Sequence, residues 1–265
     1  MIRIRKGTEP QILQVNKSRW TSDLLNLVDQ NHSYAQIPQK EKDSATRYYR
    51  HPEIQEALKN SNGLAKCVYC ESFVDLTSHC SIEHFYPKSV YPKETFEWDN
   101  LFPCCSWCNS SKGDFDTGRQ PFVHPEKEDP EDFLTFEDMM YVPKSRTGIA
   151  GQKAVNVINK CDLQRISLIR AHADILFSFR KSCESLKKVI SDYKDYIQEV
   201  KKIGCVKKIY SFLSELKREA SHDAQYAGFM RYLLRKNEVV QDAVDLINLR
   251  KSDIGLSADF DWGFV

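Results

Sequence analysis

Two Cys-x-x-Cys pairs, CVYC at 67–70 and CSWC at 105–108, constrain this chain more than any other feature. Thirty-four residues separate them, and the surrounding texture is Cys, Gly, Pro, aromatic and Ser/Asn, which favours turns and short strands over a self-sufficient core. Four thiolates on two such knuckles, Cys67, Cys70, Cys105 and Cys108, are the donor set of a closed tetrahedral zinc site that staples a loop-rich segment. Cys104 adjoins Cys105 and competes with it, but the two-residue spacing to Cys108 favours Cys105. An odd total of nine cysteines fits a reducing compartment and metal binding better than disulfides. The isolated Cys80, Cys161, Cys183 and Cys205 read as buried apolar thiols.

At 265 residues and 41% apolar composition, the chain can bury one large core or two small ones. The start, MIRIRKG, has no apolar stretch behind its charges, and no run approaches the roughly 20 apolar residues of a membrane span. The expectation is a soluble cytoplasmic protein with no membrane contact. The formal net charge of +1 conceals a division: +4 over residues 1–66, −8 over 67–150 and +7 over 151–250. Basic helical ends around an acidic, metal-rich centre suit a protein that attracts phosphate with one part and works on it with another, although a solvated helical surface gives the same balance.

The expected fold class is α+β and mostly helical. Residues 1–62 form an N-terminal helical segment, with apolar positions Leu24, Leu25, Leu27 and Val28 and a helix opened by Pro52 in HPEIQEAL. Residues 63–150 form the metal-stapled core, ending in an acidic, proline-broken connector or edge strand over 120–150. Residues 151–265 form a C-terminal helical domain. There the stripes Ile166–Leu176, Leu186–Val200 and Val206–Leu216 mark three helices, with Gly204 expected to separate the last two, and two more helices follow. Lys187, Lys194, Lys201 and Lys208 recur every seven residues, a ridge for phosphates or, as the better reading, a solvated face. The tail DFDWGFV either docks on a partner or folds back.

Between the knuckles, IEHFYPKS at 82–89 puts the Glu83 carboxylate beside the His84 imidazole, on the expected first strand of a hairpin. Asn109 directly follows the last knuckle cysteine, where a helix is expected to begin. Zinc would then pin that helix start beside the hairpin, with Asn109 offering an oxygen ligand, Glu83 an anionic one and the helix amides a place for phosphate oxygens. Lys112 and Lys88 are candidate phosphate contacts; for Lys112 a solvated helix lysine is the plain alternative. His79 stands on Glu83's face of the strand, as a supporting residue or a surface one.

The series C-x2-C, Glu-His-x-x-Pro-Lys, Asp-Asn-Leu, C-x2-C-Asn-x-x-Lys-Gly resembles the zinc-stapled HNH nucleases, whose ββα-metal core is treble-clef-like. The resemblance implies that His84 is the general base, that Glu83 and Asn109 hold a catalytic divalent ion, and that Asn100 ties the hairpin loop and orients the base. The family's final His is Asn here and its usual Asp before the base is Glu; the harder oxygen donor suits Mg²⁺ or Mn²⁺. MIRIRKGTEPQIL, RYYRHPEIQEAL, PFVHPEKEDPEDFLTF and TGIAGQKAVNVINKCDLQRISLIRAH further resemble the HNH subunit of Septu-type anti-phage systems, including the form encoded beside retrons, over about residues 1–175. That similarity implies an ABC/SMC-like ATPase partner and, in the retron form, a reverse transcriptase with its RNA-linked DNA. The sequence has no GxxxxGK[ST] loop, so ATP dependence is expected to come from another protein. The expected substrate is DNA or a structured RNA such as tRNA. The competing reading is a non-catalytic zinc adaptor that links an ATPase to nucleic acid.

Overall fold

The computed structural model describes residues 1–61, 66–74 and 80–257; His79 and the DFDWGFV tail lie outside them. The expected mostly helical α+β class holds. The chain divides into two compact units, Met1–Arg165 and Ile166–Val265, where three segments with boundaries after 62 and 150 were expected.

The first of those boundaries dissolves because the N-terminal helices have no core of their own. Helices α1 (Gln11–Gln30), α2 (Gln39–Thr46) and α3 (Pro52–Ser61) lead into the knuckle region. Leu13, Trp20, Leu24, Ile54 and Leu58 bury themselves against Phe96, Trp98 and Leu101 of the segment that runs into the second knuckle. Pro52 opens α3, where its fixed φ is already helical and its missing amide is not needed. Residues before α1 close the same seam. Ile2 and Ile4 are buried, Trp98 Nε1 donates to Gly7 O at 3.0 Å, and the Lys6 ammonium lies 4.2 Å above the Phe102 ring. Burial pushes Lys6 down to about 8.

Strands β1 (Cys80–His84) and β2 (Leu101–Cys105) pair antiparallel, with Glu83 opposite Phe102 and His84 opposite Leu101. Helix α4 (Ser106–Lys112) follows β2 without a break, giving two strands and a helix in sequence order. The acidic stretch expected as a connector or edge strand carries a second hairpin, β3 (Leu134–Glu137) with β4 (Met140–Pro143). Helix α5 (Gly148–Lys160) packs on β4 and so belongs with the first unit, which moves the second boundary to 165. Gly151 permits the close return of the chain from β4 into α5, since a Cβ there would stand 2.7 Å from Ser145 O.

The second unit contains α6 (Ile166–Asp195), α7 (Glu199–Glu219), α8 (Ala227–Lys236) and α9 (Glu238–Arg250). The chain turns from α6 to α7 over three residues, 196–198, and Gly204 lies inside α7 with open space beside it, so Gly204 is not the separator. Lys187 and Lys194 therefore sit on one helix and Lys201 and Lys208 on the next, and the seven-residue recurrence makes no single ridge. The same turn throws Ile197 and Val200 out of the expected stripe; they are 94% and 83% exposed. The Leu213, Phe229, Leu233, Val240 and Ile247 positions are buried as expected. Among the described residues no helix is long and apolar enough to cross a membrane.

Candidate metal centre and active site

The sulfurs of Cys67, Cys70, Cys105 and Cys108 all lie within 4.8 Å of one another. Zn–S bonds of about 2.3 Å in a tetrahedron put sulfurs roughly 3.8 Å apart, and Cys70 Sγ and Cys105 Sγ are separated by 3.8 Å. The residues thus fit a zinc ion. Cys104 stands outside this group although its sulfur is 3.7 Å from that of Cys67, because its neighbour carries the sulfur that faces the other three. The first knuckle turns tightly, with Glu71 N donating to Cys67 O at 2.9 Å and Glu71 at φ 62°. It is stitched to β2 by Val68 N to Pro103 O at 2.9 Å. Arg165, at the end of the first unit, points an Nη1–H at Cys108 Sγ, 3.6 Å away.

Helix α4 begins at Ser106, earlier than expected, and places Asn109 in mid-helix. Cys105 Sγ accepts from Cys108 N at 3.4 Å, so the helix start serves the sulfur cluster rather than a phosphate. Four residues on from Cys108, and on the same face, Lys112 is driven inward under β1. Its ammonium meets Glu83 Oε1 at 2.5 Å and donates to His84 O at 2.9 Å. At 3% exposure Lys112 is neither the expected phosphate contact nor the solvated alternative. Glu83, 1% exposed, also accepts from Tyr69 Oη at 3.1 Å. Burial pushes the Glu83 carboxyl above its ordinary range, and Lys112 and Tyr69 pull it back.

Strand alternation holds at this pair of residues: Glu83 turns to Tyr69 and Lys112, while His84 turns to Tyr49 and Thr95. His84 Nε2 lies 3.0 Å from Thr95 O. A carbonyl oxygen can only accept, so Nε2 carries the proton and Nδ1 keeps a free lone pair. Burial, helped by the charge of Lys88 and opposed by the Thr95 bond, pushes His84 down to about 3, which keeps the ring neutral. The Tyr49 ring stands edge-on to it at 4.7 Å.

Asn100 fixes the loop that presents Thr95. Its side chain accepts from Tyr86 N at 2.6 Å and donates to Tyr86 O at 3.1 Å and Glu94 O at 2.8 Å. Every polar atom of this buried amide is thereby used, and the loop between β1 and β2 is closed like a clasp.

A cavity of about 380 Å³ opens over His84, lined also by Glu83, Lys88, Asn109, Tyr49, Arg50 and Asp114. Of the expected residues, Glu83, His84, Lys88 and Asn109 line it, and Asn100 and Lys112 do not. Because strand alternation holds at this pair without a bulge, the Glu83 carboxylate turns to Tyr69 and Lys112 instead of converging with the imidazole. Tyr49, Arg50 and Asp114 are additions that the sequence alone did not single out. Asp114 reaches the cavity because Gly113, at φ 49° and ψ −135°, ends α4 in a conformation closed to other residues.

Residues 67–115 match the HNH endonuclease family. The chain carries an HNH endonuclease domain. The chain is also 29% identical over 190 residues to a Septu protein PtuB from Bacillus thuringiensis, an alignment covering 71% of this chain and 70% of the relative. A Septu protein PtuB from Bacillus mycoides (strain KBAB4) is 24% identical over 59% of this chain and 62% of its own length. The domain and these similarities together support an HNH nuclease subunit of the Septu kind.

Proposed function

We propose that this HNH domain hydrolyses nucleic-acid phosphodiester bonds with His84 as general base, as the effector of an anti-phage complex. The observation that carries this reading is the His84 ring: its Nε2 is spent on Thr95 O, which leaves Nδ1 with a free lone pair, and the residue lines a cavity that Asn109 and Lys88 also line. Nδ1 takes the proton of an attacking water. Asn100 holds the loop at Tyr86 and Glu94, next to Thr95, and so supports the carbonyl that orients the imidazole. Lys88 meets a phosphate oxygen from the cavity wall.

Glu83 and Asn109 both border the cavity, and a carboxylate with an amide oxygen is a donor set that fits Mg²⁺ or Mn²⁺. The Glu83 carboxylate is turned to Lys112 and Tyr69, however, and would have to leave that pair to reach an ion over His84. Such an ion would neutralise charge on the phosphorus oxygens and the leaving 3′ oxygen. Because Glu83 is held by Lys112, the ammonium competes with that ion for the carboxylate. The four-cysteine site takes zinc for structure and no part in the chemistry.

The substrate is DNA or a structured RNA such as tRNA, since the attack is on phosphorus and needs no particular sugar. The similarity to Septu PtuB supports a multi-subunit defence assembly. We place that assembly in the cytoplasm, with an ABC/SMC-like ATPase as its nucleotide gate and, in a retron-encoded form, a reverse transcriptase and its RNA-linked DNA.

The test is cleavage of supercoiled plasmid and of tRNA by the full chain, with and without Mg²⁺ or Mn²⁺. His84→Ala is expected to lose at least a hundredfold in rate while zinc content stays unchanged. Undiminished cutting by that variant removes His84 from the mechanism, and retardation of both probes without any cutting by the parent favours the adaptor.

A further inference from the structure

The stretch that matches the HNH family begins at residue 67, yet one wall of the cavity over His84 comes from earlier in the chain. Residues 47–50, RYYR, form a tight 3₁₀ turn just before α3. Gln55, one turn into α3, donates from Nε2 to Arg50 O at 2.8 Å and fixes the end of that turn. Tyr49 is buried and stands against the His84 ring, so the turn is docked on the base itself. Arg50 is exposed, and its guanidinium carbon lies 5.1 Å from the Tyr49 ring centroid. The Lys88 ammonium, arriving from the loop after β1, lies 5.7 Å from the same centroid.

Two cations thus share one aromatic platform beside the base. Neither is in an ion pair among the described residues, whereas Lys17, Lys112 and Lys153 of the same unit each meet a carboxylate. Asp114, which borders the cavity, pairs with neither. Placing two like charges together without an acid costs repulsion that the contact with one tyrosine ring offsets only weakly. The arrangement is complementary to an anion. A phosphodiester has two non-bridging oxygens, matching the planar fork of Arg50, while the point charge of Lys88 takes either of them.

We propose that Arg50, carried by the N-terminal segment, binds the backbone phosphate that faces His84, with Tyr49 as the platform that positions it and Lys88 as its second cation. This rests on the nuclease reading and deepens it: the active site is composite, and its phosphate grip comes from outside the HNH stretch.

The experiment uses the full zinc-loaded chain carrying His84→Ala to stop turnover, with fluorescein-labelled DNA duplex and RNA hairpin oligonucleotides as probes. Affinity is measured by anisotropy across a salt series, beside zinc content and thermal melting. Arg50→Ala is expected to weaken binding of the preferred probe roughly tenfold or more. Its log-affinity against log-salt slope on duplex should become shallower by about 0.9, one phosphate's worth. Arg50→Lys keeps the charge, loses the fork and should fall between the two, with melting and zinc unchanged in both variants. The proposal is overturned if Arg50→Ala binds with the parent's affinity and slope, or if affinity falls only in step with melting temperature. Failure of the nuclease reading looks different: the chain with His84 intact leaves both probes uncut with Mg²⁺ or Mn²⁺ while Arg50 still governs binding. A parent that holds neither probe overturns both.

Discussion

Lys112→Met gives the sharpest test of how the site is supported. Both partners of the Lys112–Glu83 pair are almost fully buried, at 1% and 2% side-chain exposure, so no solvent screening softens the loss. Removing the ammonium strands a buried carboxylate, which typically costs about 3–5 kcal/mol, and leaves His84 O without its donor for roughly 1 kcal/mol more. With a urea dependence of about 2 kcal/mol/M for a unit of this size, the two losses together should drop the midpoint by about 2–3 M. Three of the four tryptophans, Trp20, Trp98 and Trp107, lie in the first unit, so fluorescence measured in a Trp262→Phe background follows its unfolding. Glu83→Gln should also destabilise, and the double variant should cost at least about 2 kcal/mol less than the sum of the singles. A Lys112 that reached out to a phosphate would behave otherwise. Its removal would move the midpoint by less than about 0.3 M, add to Glu83→Gln without coupling and weaken nucleic-acid binding, and that pattern would sink the buried-pair account.

Native mass spectrometry should find one zinc per chain, and Cys108→Ser should abolish it together with the cooperative unfolding of the first unit, because metal and fold are linked there; a metal-free chain with an unchanged midpoint contradicts this. Acid should weaken the first unit through two histidines. Burial pushes His84 to about 3 and His124 to about 4, so between the ordinary value of 6.5 and those limits the unfolded chain binds protons that the native one refuses. Stability is complete above pH 6.5 and falls below it by up to about 1.4 kcal/mol per pH unit for each group. His124→Gln should flatten the decline of the urea midpoint between pH 6.5 and 4.5 by one group's share, and an equal decline in both proteins counts against it.

What the sequence made legible was local. Cysteine spacing gave the four sulfurs, and adjacency gave Glu83, His84 and Asn109 at one cavity, because metal knuckles and hairpins are built from near neighbours in the chain. What it hid depends on direction and on distant partners. Lys112 looks like any helix lysine; that it turns inward follows from Cys108 one turn earlier being pinned in the sulfur cluster, which fixes the rotation of α4. Arg50 lies 34 positions before His84, and a Tyr-Tyr-Arg turn has no periodicity that would aim it there. The division into units was missed because the apolar side chains of α1 and α3 find their complement in Phe96, Trp98 and Leu101, beyond a boundary drawn from texture alone. The α6–α7 turn contains neither glycine nor proline, so the nearest glycine was credited with a break that tertiary packing makes eight residues earlier.

The seam between α1, α3 and the Phe96–Leu101 segment also bears on how this nuclease can be dissected. An excised 67–115 fragment would bare two large rings and a leucine, each aromatic having hidden on the order of 150–250 Å². That is a patch of the size that makes isolated proteins aggregate. Grafts, minimal catalytic fragments and chimaeras of this chain should therefore travel with everything from residue 1, and the motif is better regarded as an insert clamped by its own preamble than as a portable cassette.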